Sequence, residues 1–123
     1  MRGLHYQQPN PQGKLVRVLT GKIFDVVVDL RKTSPTFLEW RGIELEAGRF
    51  QALWIPPGFA HGFYVLEDAL VIYKTTSYYD PSSEHTIKWD DPQLLIQWPL
   101  MGSLPSLSLK DQKGLRVSEV PYF

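Results

Sequence analysis

The chain has 123 residues, enough for one hydrophobic core and too few for two independent ones, so residues 1–123 are expected to form a single domain. Thirteen Lys and Arg balance thirteen Asp and Glu, which removes any global electrostatic reason to bind nucleic acid or a membrane surface. Cysteine is absent, which excludes disulfides, thiolate nucleophiles and zinc–thiolate centres. No apolar targeting segment follows Met1 and no apolar run reaches membrane-spanning length, so a cytoplasmic location is the expectation.

Ten prolines, nine glycines and 13% aromatics spread along the chain imply many short strands joined by turns. Leu15–Leu19 is the first apolar run, closed by a turn at Gly21. Ile23–Leu30 is the clearest strand. Phe24, Val26, Val28 and Leu30 line one face, and Ile23, Asp25, Val27 and Asp29 the other. Two carboxylates on an apolar strand face require polar partners if that face is enclosed. Thr33–Thr36 is a turn, Phe37–Leu45 a further strand, and Ala52–Ile55 a short one stopped by Pro56-Pro57-Gly58. Gly62–Leu66 and Ala69–Thr76 read as a hairpin around Glu67-Asp68, with a break at Tyr78–Pro81. Trp89–Pro92 is a turn, Leu94–Trp98 a last strand, and Ser108–Gly114 the one credible helix. Strands at this spacing fit a sandwich or barrel, of which the jelly roll is one form.

Several polar residues carry both a structural and a chemical reading. His5 reads as a structural histidine ahead of a catalytic one, and Lys14 as an exposed turn lysine. Tyr73 reads as a buried strand tyrosine with its hydroxyl satisfied. Asp111, three residues after Ser108, completes a variant capping box. His61 is expected to bond a carboxylate, Asp25 or Asp29, which would also raise its basicity. His85, in the polar run Ser82–Thr86, is expected in a solvated loop. Pro56–His61 is similar to the later half of a cupin metal pattern, but His5 is followed by Tyr6 and Gln7 where a second histidine would stand. Zinc and iron need three or more protein ligands, so no metal is expected.

Taken in order, the motifs resemble one family. Arg2-Gly3-Leu4-His5-Tyr6-Gln7, Pro11–Arg17, Phe24–Arg31 and Ser34–Phe37 are similar to dTDP-4-dehydrorhamnose 3,5-epimerases, as are Trp54–Phe63, Tyr73–Tyr79, Trp89–Pro92 and Leu107–Asp111. The resemblance runs from Arg2 to about Gly114. It implies a mainly β fold, a double-stranded β-helix or jelly roll of the cupin type with a short C-terminal helix. The implied reaction inverts C3 and C5 of a dTDP-linked 4-keto-6-deoxyglucose, giving the keto sugar of the L-rhamnose series used for surface polysaccharides. No cofactor is implied, because the ketone itself acidifies the neighbouring C–H bonds. His5 would be the base paired with Asp111, Tyr73 the acid, and Lys14 the cation at the enolate oxygen. His61, supported by Asp25, would contact the sugar. Arg2 and Lys110 would hold the diphosphate, Tyr79 would stack on thymine, and Glu84 would lie near the ligand. Two other readings stand beside this one. They are a non-catalytic sugar-nucleotide-binding cupin and a single-carbon epimerase or ketoisomerase on the same scaffold.

The family carries a segment of strands before Arg-Gly-Leu-His, whereas Met1 directly precedes Arg2 here. The resemblance therefore implies a homodimer with a weakened seam, an exposed sheet edge and reduced nucleotide affinity. A positive amino terminus beside Arg2 is expected to oppose protonation of His5.

Overall fold

The computed structural model covers all 123 residues, Met1–Phe123. In chain order the elements are β1 (Arg2–Gln7), β2 (Lys14–Asp29), β3 (Trp40–Glu46), β4 (Leu53–Ile55), β5 (Phe59–Thr75), β6 (Glu84–Thr86) and α1 (Leu109–Gln112), with a single 3-10 turn at Val117–Glu119. The fold is mainly β, a cupin-type jelly roll with one short helix, as expected.

Its frame is an antiparallel ribbon of β2 and β5, running from Lys14 opposite Thr75 to Asp29 opposite Phe59. On the other edge of β2, β4 pairs with Lys14–Val16 and β3 with Lys22–Val28. On β5, β1 adds through Arg2 opposite Phe63 and His5 opposite His61, and β6 then pairs with β1. The hairpin expected around Glu67-Asp68 does not form, because β5 passes straight through it. The turn expected at Gly21 is likewise part of a continuous strand. Both signals mark a bend. The register slips between Val18 and Ile23, and Gly21 (φ +74°) lies so close to Asp68 that a Cβ there would meet the Asp68 carbonyl. An extra residue in one strand of a pair bends and twists the ribbon, which lets two long strands curl where four short ones were expected.

From Ile23 to Asp29, β2 is covered on both faces. Phe24, Val26, Val28 and Leu30 pack with Leu4, Tyr6, Ile87, Leu94, Val117 and Val120 into one core. Ile23 and Val27 join Val16, Val18, Leu45 and Ile55 in a second. Each large aliphatic side chain taken fully from water there contributes roughly 1.5–3 kcal/mol. Asp25 and Asp29 sit on the second face, fully buried and partnered. Asp29 accepts five hydrogen bonds, from Arg31 N, Nε and Nη2 and from the Ser34 and Thr36 hydroxyls.

Leu94–Trp98 is not a strand. Leu94, Ile96 and Trp98 do turn to the first core, but no neighbouring strand pairs with them. The segment is pinned by buried Asp91, which accepts from the amides of Gln93, Leu94 and Val117. The helix expected over Ser108–Gly114 contracts to α1, with Ser108 Oγ accepting the Asp111 amide at 3.1 Å as its N-cap. The strand expected from Phe37 begins at Trp40.

Candidate active site

A cavity of about 350 Å³ opens between β1, β2, β5, β6 and α1. Of the ten residues singled out from the sequence, Arg2, His5, Lys14, His61, Tyr73, Tyr79, Glu84 and Lys110 line it. The other two, Asp25 and Asp111, stand behind His61 and His5.

Two glycines bring the histidines together. A Cβ on Gly3 (φ +96°) would stand 2.6 Å from the His61 carbonyl oxygen, and one on Gly62 would stand 2.6 Å from that of Arg2. Only paired glycines allow this approach, and it sets His5 opposite His61 across β1 and β5. The same face of the ribbon carries the rest. Because Lys14 pairs with Thr75 and Val16 with Tyr73, Lys14 and Tyr73 are diagonal neighbours. The same offset lets Asp25 reach His61.

His5 Nε2 lies 2.5 Å from Asp111 Oδ1, and Asp111 Oδ2 accepts the Gly3 amide at 3.3 Å. An ionised carboxylate only accepts, so Nε2 carries the proton and Nδ1 the free lone pair. Nδ1 lies 3.9 Å from Glu84 Oε1 on the cavity side. Burial is the largest influence on His5 and holds it below its ordinary value of 6.5, against the hydrogen bond and charge of Asp111. Lys110 lowers it further and Glu84 raises it. The opposing cation is therefore Lys110. The amino group of Met1, expected in that role, hydrogen-bonds the Ser106 carbonyl.

His61 Nε2 is shared by both oxygens of Asp25, at 3.0 and 2.9 Å, and this decides between the two expected carboxylates. Lys14 has no hydrogen-bond or ion-pair partner, and burial pushes its ammonium below the ordinary lysine value. The Arg2 guanidinium also lacks a protein partner. Glu84, in contrast, accepts from Lys110 Nζ at 2.9 and 3.0 Å and from the Tyr79 hydroxyl at 3.0 Å. Burial pushes Glu84 up, but these two donors outweigh it and the net direction is down. Tyr79 is 61% exposed, with its ring open to solvent, and the Glu84 hydrogen bond raises its hydroxyl.

His85 is not in a solvated loop. It lies in β6, stacks on Tyr6 with ring centroids 5.1 Å apart, and its Nε2 bonds the Gln8 carbonyl. Gln12, Phe63 and Thr75 also line the cavity and were missed. Phe63 and Thr75 fall at the inward positions two residues from His61 and Tyr73, a period-2 signal that was readable. Gln12 gave none, and its Nε2 holds the loop that carries Tyr79 through the Ser77 carbonyl. No group of three or more His, Asp or Glu side chains is placed to hold a metal ion. No helix is long and apolar enough to cross a membrane.

Residues 1–119 match the family model for dTDP-4-dehydrorhamnose 3,5-epimerase. A dTDP-4-dehydrorhamnose 3,5-epimerase of Neisseria gonorrhoeae is 56% identical over 115 residues, covering 93% of this chain and 35% of its own length. The Pseudomonas aeruginosa enzyme of that name is 50% identical over 124 residues, covering all of this chain and 68% of its own. Among solved structures, a Legionella pneumophila dTDP-6-deoxy-D-glucose-3,5-epimerase in complex with dTDP-4-keto-L-rhamnose superposes with a TM-score of 0.93 at 50% identity, over 98% of this chain and 64% of that one. The chain thus spans about one third to two thirds of the length of these relatives. On the match over nearly its whole length, the chain belongs to the dTDP-4-dehydrorhamnose 3,5-epimerase family.

Proposed function

We propose that this chain epimerises C3 and C5 of a dTDP-linked 4-keto-6-deoxyhexose, with no cofactor, by proton transfer through an enolate. One observation carries the reading. His5 Nε2 is held at 2.5 Å by buried Asp111, which leaves Nδ1 free toward a cavity that also contains the partnerless Lys14.

The ketone acidifies the C–H bonds beside it, so the site needs a base, an acid and a cation at the carbonyl oxygen. His5 Nδ1 takes the proton and Asp111 stabilises the imidazolium formed; such groups contribute roughly 10²–10⁴-fold each. Lys14 meets the developing enolate, where a preorganised cation gives roughly 3–4 kcal/mol. Burial without a partner suits that role, since nothing in the protein competes for the ammonium. Tyr73, from a separate strand, returns a proton. His61, fixed by Asp25, orients the sugar. Arg2 and Lys110 take the diphosphate and Tyr79 the base, and in the free protein Glu84 accepts from both Lys110 and Tyr79.

A one-carbon variant of the reaction is the second reading. It is favoured by the superposition, at a TM-score of 0.85, on a 3'-monoepimerase of Streptomyces bikiniensis in complex with dTDP-quinovose. Deuterium wash-in from D₂O into the 4-keto sugar nucleotide separates the readings. Label at both carbons supports the first, label at one carbon the second, and none at either refutes both. His5→Ala must abolish whatever label is seen.

We also propose a homodimer. Its support is the exposed apolar face of Leu15, Trp54, Leu70 and Ile72, together with the β5 edge beyond Phe63, which pairs with no other strand. A monomer in sedimentation at micromolar concentration would refute it.

A further inference from the structure

Glu84 is the one carboxylate in the cavity wall, and three groups converge on it. Lys110 Nζ lies 2.9 and 3.0 Å from its two oxygens, the Tyr79 hydroxyl donates at 3.0 Å, and His5 Nδ1 waits at 3.9 Å, beyond hydrogen-bond reach. The Glu84 side chain is 12% exposed while that of Lys110 is 47% exposed. The ammonium, the more exposed partner, is therefore the member of the pair that is free to leave. Lys110 also faces a cavity whose other cations, Arg2 and Lys14, have no protein anion of their own. A diphosphate entering there carries more charge than one carboxylate and offers more acceptor oxygens, so it draws Lys110 away from Glu84.

We propose that Glu84 is a shared counter-charge that pairs with Lys110 in the free protein and is left facing His5 Nδ1 when an anionic diphosphate takes Lys110, so that filling the nucleotide subsite strengthens the base. The inference rests on the epimerase reading above and adds a positioning role for Glu84. Two changes act in the same direction. The cation whose charge opposes the imidazolium moves off, and the carboxylate that faced that cation is left to stabilise the imidazolium once Nδ1 has taken the proton. The other charged or titratable groups around His5 keep their places: Asp111 from α1 at Nε2, His61 opposite on β5, Arg2 on its own strand, and Lys14 and Tyr73 across the cavity. In the empty site burial keeps His5 neutral and weakly basic, and the balance of Lys110 against Glu84 is the adjustable part. A base strengthened only beside bound nucleotide acts on the substrate that carries that nucleotide, and a free keto sugar would meet a weaker one.

The test is an NMR pH titration of the imidazole resonances in the full chain, with and without saturating dTDP, and with binding followed separately by calorimetry. In the wild type dTDP should raise the His5 midpoint by about one pH unit or more, the size of one opposite charge released at this distance. Lys110→Met should raise the midpoint in the free protein, and dTDP should then add less than half of the wild-type rise. Glu84→Gln should lower the free midpoint and blunt the response. The His61 resonance, anchored by Asp25, reports folding in the same spectra. If dTDP binds and the His5 midpoint stays where it was, the shared counter-charge is refuted while the epimerase reading stands. A folded Lys110→Met protein whose free midpoint is at or below that of the wild type refutes it equally. If calorimetry detects no binding of dTDP, the nucleotide-sugar reading falls and this inference falls with it.

Discussion

Replacing Asp111 by Asn isolates what the carboxylate does. Its two oxygens serve two donors, His5 Nε2–H at 2.5 Å and the buried Gly3 amide at 3.3 Å. Asparagine offers one oxygen and one NH₂ in the same space, so one donor must lose its acceptor. Leaving the Gly3 amide unpaired would cost about 1–3 kcal/mol. Imidazole has an alternative, because its other tautomer accepts from the asparagine NH₂. The arrangement of lower energy therefore keeps the amide bonded and moves the His5 proton to Nδ1, the nitrogen that must be bare to act as a base. The expected phenotype is a protein with less than about 1 kcal/mol lost in denaturant unfolding and deuterium wash-in reduced roughly 10²–10⁴-fold. Nitrogen-15 chemical shifts of His5 should report the proton on Nδ1. Wash-in within threefold of the wild type, with the proton still on Nε2, would refute the reasoning.

Lys14→Met should cut wash-in by roughly 10²–10³-fold. Its thermal midpoint should stay level or rise, since a half-buried ammonium without a partner is replaced by an apolar chain of similar length; a clear fall would show that Lys14 has a structural role. Gly3→Ala places a methyl 2.6 Å from the His61 carbonyl at a backbone angle that alanine resists, so a loss of at least about 2 kcal/mol in chemical denaturation is expected. Asp29→Asn strips acceptors from a five-fold hydrogen-bonded carboxylate and should cost roughly 2–4 kcal/mol. The Arg31 hydrogen bonds hold the Asp29 carboxyl well below its ordinary 3.8, so its stabilisation is complete above that pH and fades as the pH falls below it. Acid unfolding of Asp29→Asn should lack that component.

How much of this was legible in the sequence depends on whether an interaction is local. The two-faced strand from Ile23 to Leu30 was readable because period 2 is written in consecutive residues, and its two carboxylates announced buried partners. The residues that gather at the cavity were legible through ordered motifs, not from their spacing: nothing in the sequence between His5 and Asp111 says that they meet. Glu67-Asp68 and Gly21 misled for one shared reason. A turn signal reports local backbone freedom, and a bulge in a paired ribbon uses the same freedom as a chain reversal. Leu94, Ile96 and Trp98 alternate as a strand would, but pairing depends on a free neighbouring edge, which no local pattern encodes. His85 was hidden by its polar neighbours, because the Tyr6 ring that covers it lies far away in the chain.

The pairing of His5 with Asp111 also has a consequence for how the protein comes into being. The two residues are 106 positions apart in the chain. At ribosomal rates the carboxylate is made roughly 5–20 s after the imidazole. During that interval β5 and β6 can pair with β1, but no carboxylate holds the imidazole at Nε2. A nascent chain arrested between Glu84 and α1 therefore carries every cavity residue except Lys110 and still lacks the carboxylate that holds His5. The fixed orientation of His5 arrives only once Asp111 has been translated, as one event.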